Sequence, residues 1–186
     1  MLSFFSVFIN MKLISIAAAL AACLSASLAH SHIVLDQKTA FTGSYYRAAF
    51  RVGHGCEGAA TTAISVRLPT GVRGAKPMPK IGWTLDRKIE KLAAPYTSHG
   101  KEVTEAVTEI TWRGGSLADE HFDEFAVQMQ LPETPGALWF KVLQTCAKGS
   151  IDWAETPASG MNTQGLKAPA ALLEVLPAKP AEAHKH

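Results

Sequence analysis

Apolar and polar residues alternate with period two in short runs along much of the chain, and Gly and Pro separate the runs. Successive side chains of a strand point to opposite faces, so each run predicts a strand with one buried face. Tyr46, Ala48, Phe50 and Val52 fall on one face, with Tyr45, Arg47 and Arg51 on the other. Ile64, Val66 and Leu68 alternate with Ser65 and Arg67 and end at Pro69-Thr70-Gly71. Phe125, Val127, Met129 and Leu131 alternate with Glu124, Gln128 and Gln130. Leu138–Leu143 and Ala171–Leu176 are apolar runs of strand length, and Thr104–Trp112 is a further run, stopped by Gly114-Gly115. No segment keeps a helical period over three turns. The pattern predicts an all-β chain, a two-sheet β-sandwich of immunoglobulin or cupredoxin type.

The first thirty residues follow a different rule. Lys12 is the only charge before Asp36, and Leu13–Leu24 is an almost continuous apolar run leading into small residues. A short basic region, an apolar core and a small-residue zone make a secretory signal, so residues 1–31 are expected to be removed on export. The run is short of the roughly 20 residues a spanning helix needs, unless Met1–Asn10 joins it across Lys12. Met11-Lys12-Leu13 is a more ordinary start than Met1. Two cuts satisfy a small-x-small site: after Ala29, leaving His30 first, and after Ser31, leaving His32 first. Leu20-Ala21-Ala22-Cys23 also resembles a lipobox, which would keep Cys23 as a lipid anchor. The mature chain is thus expected in the periplasm or secreted, with residues 32–176 as one domain. The Pro-, Ala- and Lys-rich residues 177–186 are expected to be a disordered tail, where His184 and His186 would scavenge metal only weakly.

Composition narrows the function. Of the 186 residues 47% are hydrophobic and 18% charged, with a formal net charge of +2. That balance lacks the basic excess of a nucleic-acid binder. No Gly-rich phosphate loop follows a strand, and neither Gly-x-Ser-x-Gly nor Cys-x-x-Cys occurs. Asp119, Glu120, Asp123 and Glu124 lack calcium-loop spacing and read as a solvated turn. His99 and His121 lie in polar, loop-like surroundings and read as surface residues. With Cys23 removed, Cys56 and Cys146 remain, and two cysteines in an exported domain are most simply a disulfide. A thiolate metal site is the rival, and soft thiolates survive poorly in an oxidising compartment.

The start of the mature chain carries the most specific chemistry. A first-position histidine offers its α-amine, whose pKa is only about 8, and ring Nδ1 as a bidentate nitrogen chelate. Nitrogen donors of this kind suit Cu(II) and Ni(II), and copper tops the divalent affinity order. His32 at position one gives that chelate; His30-Ser31-His32 would instead place histidine first and third, a different square-planar geometry. The plain alternative is that histidines beside a cleavage site are accidental. His54-Gly55-Cys56-Glu57-Gly58 is a glycine-bracketed turn after a strand, where Glu57 would add a carboxylate oxygen or simply face solvent. His54 would be either a further ligand or, on the simpler reading, a surface residue. Trp153 is expected either in the core or over a metal, where its indole would exclude solvent.

These residues belong to a longer ordered set: His32-Ile33-Val34-Leu35-Asp36-Gln37, Gly43-Ser44-Tyr45-Tyr46-Arg47, Phe50 through Gly58, Lys76-Pro77-Met78-Pro79-Lys80, Gly82-Trp83-Thr84-Leu85, Asp123-Glu124-Phe125, Cys146-Ala147-Lys148-Gly149 and Trp153. Over roughly His32 to Leu176 the chain resembles the YcnI-like copper-binding domain in its Gram-negative form. The resemblance implies a β-sandwich binding Cu(II) through a single-histidine brace. His32 would supply amine and imidazole, Glu57, at or near the family's carboxylate position, an oxygen, and Trp153 the shielding indole. It favours cleavage after Ser31. It further implies a non-enzymatic role in periplasmic copper homeostasis or trafficking, with small copper chaperones or membrane copper importers as partners. Two alternatives stand beside it. A copper-dependent oxygenase needs a second histidine beside the first, with His54, His99 and His121 as the candidates. A non-metal immunoglobulin-like interaction module needs no free amine.

Overall fold

The computed structural model describes residues 32–178. The expected signal segment, with Cys23 and His30, and the histidines of the expected tail lie outside them. Eleven strands and no helix make up the described residues: β1 (Val34–Leu35), β2 (Thr39–Phe41), β3 (Tyr45–Val52), β4 (Thr61–Arg67), β5 (Arg73–Pro77), β6 (Thr84–Ser98), β7 (Lys101–Leu117), β8 (Asp123–Gln130), β9 (Gly136–Cys146), β10 (Ser150–Trp153) and β11 (Ala171–Leu176). One sheet runs β1-β3-β8-β5 and the other β2-β11-β9-β4-β7-β6, with β10 paired to β9. The fold is a two-sheet, immunoglobulin-like β-sandwich, as the alternation predicts.

The core lies between the sheets because the apolar parity of each strand faces inward. From one sheet come Tyr46, Ala48, Phe50, Val52, Phe125, Val127 and Met129; from the other come Ile64, Val66, Ile110, Trp112, Phe140, Val142 and Leu173. All are almost completely buried. Burying a large apolar side chain contributes about 1.5–3 kcal/mol each. Buried aromatic rings meet edge-to-face, Phe50 on Phe140 at 5.4 Å and Trp112 on Phe125 at 5.5 Å between centroids. The Trp112 indole N–H donates to the Met78 carbonyl at 2.9 Å, so this large core residue leaves no orphan donor.

Two expectations are corrected. Gly114-Gly115 does not end a strand; β7 runs on to Leu117. Gly114 has φ +81°, and the β4–β7 register shifts there by two residues, so the glycines form an irregularity within a continuing strand. A Cβ on Gly115 would lie 2.1 Å from the Trp83 ring, so the second glycine makes room for an indole. The acidic turn, in turn, is not merely solvated. Asp123 accepts from Lys80 Nζ at 2.6 Å, Glu124 pairs with Arg51 across β3–β8, and Asp119 accepts from a backbone N–H described below. The long β6–β7 hairpin was legible only in its second half, because β6 is exposed on both faces and carries Arg87, Lys88, Glu90 and Lys91. Charges on an edge strand discourage pairing with other chains.

Tyr46 Oη donates to the Gln37 carbonyl at 2.5 Å and ties β3 to the turn after β1. Burial, and secondarily the charge of Asp36, push its hydroxyl pKa up to about 12. The folded value lies above the unfolded one of about 10, so the contribution is complete below pH 10 and is lost as pH climbs towards 12, at about 1.4 kcal/mol per pH unit. Tyr46→Phe should cost about 1 kcal/mol at neutral pH through the lost hydrogen bond. Urea unfolding of both proteins between pH 8 and 12 should show that cost shrinking and reversing above pH 10; a pH-independent difference would contradict this account.

Candidate functional site

The site is assembled where β1, β9, β10 and the segment after β3 meet. Val34 and Leu35 pair antiparallel with Arg51 and Phe50 of β3, so His32, two residues before Val34, lies towards the end of β3 that leads into His54. Trp153 closes β10, opposite Val142 of β9, and is buried to 1% exposure. The His32 ring meets its indole edge-on at 5.7 Å between centroids, and the His54 ring does the same at 6.4 Å. Two histidines thus share one buried indole.

A buried amide holds this arrangement. Gln144 occupies an inward position of β9 with no exposed surface. Its Oε1 accepts from the Trp153 indole N–H at 2.9 Å, and its Nε2 donates to the His54 carbonyl at 2.7 Å and to Thr61 Oγ1 at 2.8 Å. One side chain therefore fixes β10, the segment after β3 and the start of β4. The alternation Phe140, Val142, Gln144, Cys146 was the available signal, a polar residue at a core position of a strand.

The segment His54–Ala59 is held from three sides. The Gly55 N–H donates to Asp119 Oδ1 at 2.8 Å, and a Cβ on Gly55 would sit 1.9 Å from the Ala59 carbonyl oxygen, so no other residue fits there. Cys56 and Ala59 exchange backbone hydrogen bonds at 3.0 and 2.9 Å around Glu57 (φ +51°) and Gly58 (φ +81°), the type I′ turn with two left-handed residues. The expected disulfide forms between Cys56 and Cys146, with Cα atoms 5.9 Å apart across 90 residues. Closing a loop of that length contributes about 4–5 kcal/mol in the chain-entropy model.

Each expected site residue has a definite place. His32, half-buried, and Trp153 come together, as do Cys56 and Cys146. Glu57 sits exposed at the turn tip, held in a left-handed conformation that costs a non-glycine residue about 1–2 kcal/mol. His54 is not the surface residue the sequence suggests. It is half-buried, its Nδ1 lies 2.5 Å from the Gly55 carbonyl oxygen, and its Nε2 is buried without a hydrogen-bond partner. His99 and His121 are exposed, as read. Among the described residues no group of three or more His, Cys, Asp and Glu side chains is placed to hold a metal, so Glu57 does not join the two histidines in such a group. A cavity of about 310 Å³ between β1 and β11 also touches His32, together with Leu35, Lys38 and Leu172, but none of Trp153, His54 and Glu57.

The domain is a two-sheet sandwich in which His32 packs on the buried Trp153. The family described as "Domain of unknown function (DUF1775)" matches residues 32–175, and the chain belongs to that family. Among solved structures it is similar to an uncharacterized protein from Nocardia farcinica described as having an immunoglobulin-like fold, at 27% identity and a TM-score of 0.57, over 77% of this chain and 97% of that one. A cohesin from Pseudobacteroides cellulosolvens aligns with 83% of this chain and 97% of its own at 11% identity and a TM-score of 0.41. No curated protein matches the chain.

Gln144→Leu keeps the volume of the side chain but leaves the Trp153 N–H, the His54 carbonyl and the Thr61 hydroxyl without that partner. Each unsatisfied buried group costs about 1–3 kcal/mol. Chemical denaturation should show a loss of at least about 3 kcal/mol, with a changed near-ultraviolet tryptophan signal; unchanged stability would remove Gln144 as the organising residue.

Proposed function

We propose that the mature protein is an exported Cu(II)-binding protein of the periplasm that holds copper or hands it on. The observation that carries this reading is the packing of His32 against Trp153, two residues far apart in the chain that the YcnI resemblance casts as ligand and shield. Released by cleavage after Ser31, His32 would offer its α-amine and imidazole as a chelate, and the indole would exclude water from one side. The donors fit a borderline divalent ion of high nitrogen affinity, which favours copper. A resident chelate beside a rigid indole needs no substrate pocket, in keeping with coordination as the whole chemistry. Small periplasmic copper chaperones or membrane copper importers are the partners such a carrier would serve.

Protein purified after export and titrated calorimetrically should bind one equivalent of Cu(II). His32→Ala should abolish stoichiometric binding while circular dichroism and the disulfide stay intact. Unchanged binding by that variant would refute the N-terminal site.

A further inference from the structure

We infer that His54 Nε2 is a third nitrogen donor of the copper site, beside the His32 amine and imidazole, and that the His54–Gly58 segment contributes this imidazole rather than the Glu57 carboxylate. The inference rests on the copper reading above and deepens it.

Four observations converge on the assignment. First, His54 Nε2 is one of two buried side-chain nitrogen or oxygen atoms left without a partner among the described residues. An unsatisfied buried polar atom costs about 1–3 kcal/mol, and ion binding is one of the few reasons a native fold keeps one. Second, the tautomer follows from its neighbour. A carbonyl oxygen can only accept, so the Nδ1 that lies 2.5 Å from the Gly55 oxygen carries the proton. In the neutral ring Nε2 is then a bare lone pair. Histidines that bind metals almost always donate their other ring N–H to a carbonyl or carboxylate in this way.

Third, both histidine rings lean on the Trp153 indole, at 5.7 and 6.4 Å between centroids. Fourth, the segment bearing His54 is fixed on both sides before any metal arrives, by Gln144 on the His54 carbonyl, Asp119 on the Gly55 N–H and the disulfide at Cys56. A donor held that way loses little freedom on binding, whereas Glu57 projects exposed from the turn tip. Three nitrogens around Cu(II) also fit its preference for nitrogen ligands in a tetragonal arrangement.

The test uses the exported full chain beginning at His32, loaded with one equivalent of Cu(II) and studied by pulsed electron paramagnetic resonance, which counts the remote nitrogens of bound imidazoles. The wild type should show two imidazoles. His54→Asn keeps a donor where Nδ1–H was and removes Nε2; it should show one imidazole and bind Cu(II) at least tenfold more weakly in competition with a chelator. Glu57→Gln should keep both imidazoles and an affinity within about threefold of wild type. A wild type with one imidazole, or a His54→Asn spectrum identical to it, overturns the assignment while leaving the copper site standing. If His54→Asn does not fold, the wild-type count decides alone. A wild type that takes up no copper overturns both readings.

Discussion

The amide of Gln144 is the contact on which the site depends. A neutral side chain with one acceptor and two donors is buried at the end of β9, and each function is used: the acceptor on the Trp153 indole, the donors on the His54 carbonyl and Thr61. In the low dielectric of the core such a network is stabilising only when complete. It therefore fixes a single relation among β4, β9, β10 and the segment after β3. Without it Trp153 would still be apolar enough to bury, but nothing would set which edge of the ring meets the histidines.

Around that contact the fold makes local concessions. Gly55 approaches the Ala59 carbonyl more closely than any side chain would allow, and Glu57 is held in a left-handed conformation. The disulfide and Asp119 hold the segment against the tendency of such backbone to relax. Rigidity at this corner of the sandwich matters for a chelate, since a site already in place spends less of its binding free energy on ordering. Strain of this kind clusters where a fold positions functional groups.

The alternating strands were readable because their inward parity is almost wholly apolar; Tyr46–Val52 and Phe125–Leu131 bury the side chains that the pattern selects. β6 escaped because an edge strand exposed on both faces has no apolar parity to read. The pairing of Cys56 with Cys146 followed from there being only two cysteines after residue 31. His32 was singled out by the chelate chemistry of a first-position histidine and Trp153 as either core or shield, and their packing on one another needed the tertiary fold. His54 was misread because a glycine-flanked histidine after a strand has no periodicity to betray burial. Its burial depends on Gly55, Gln144 and Trp153, which only the tertiary fold brings to it. The acidic turn hid Asp119 in the same way, since an N–H acceptor is indistinguishable from a solvated carboxylate in sequence.

On the proposed copper reading the chain terminus is itself part of the site: the amine that cleavage before His32 would free, the His32 ring, and the Trp153 indole packed against it. The most direct test of that claim is the native intact mass of the exported protein, with and without one equivalent of Cu(II). The predicted result is a chain beginning at His32, two hydrogens lighter for the disulfide, that gains one copper. A chain that begins elsewhere or keeps Cys23 as a lipid anchor, or one that begins at His32 and gains no metal, would contradict it.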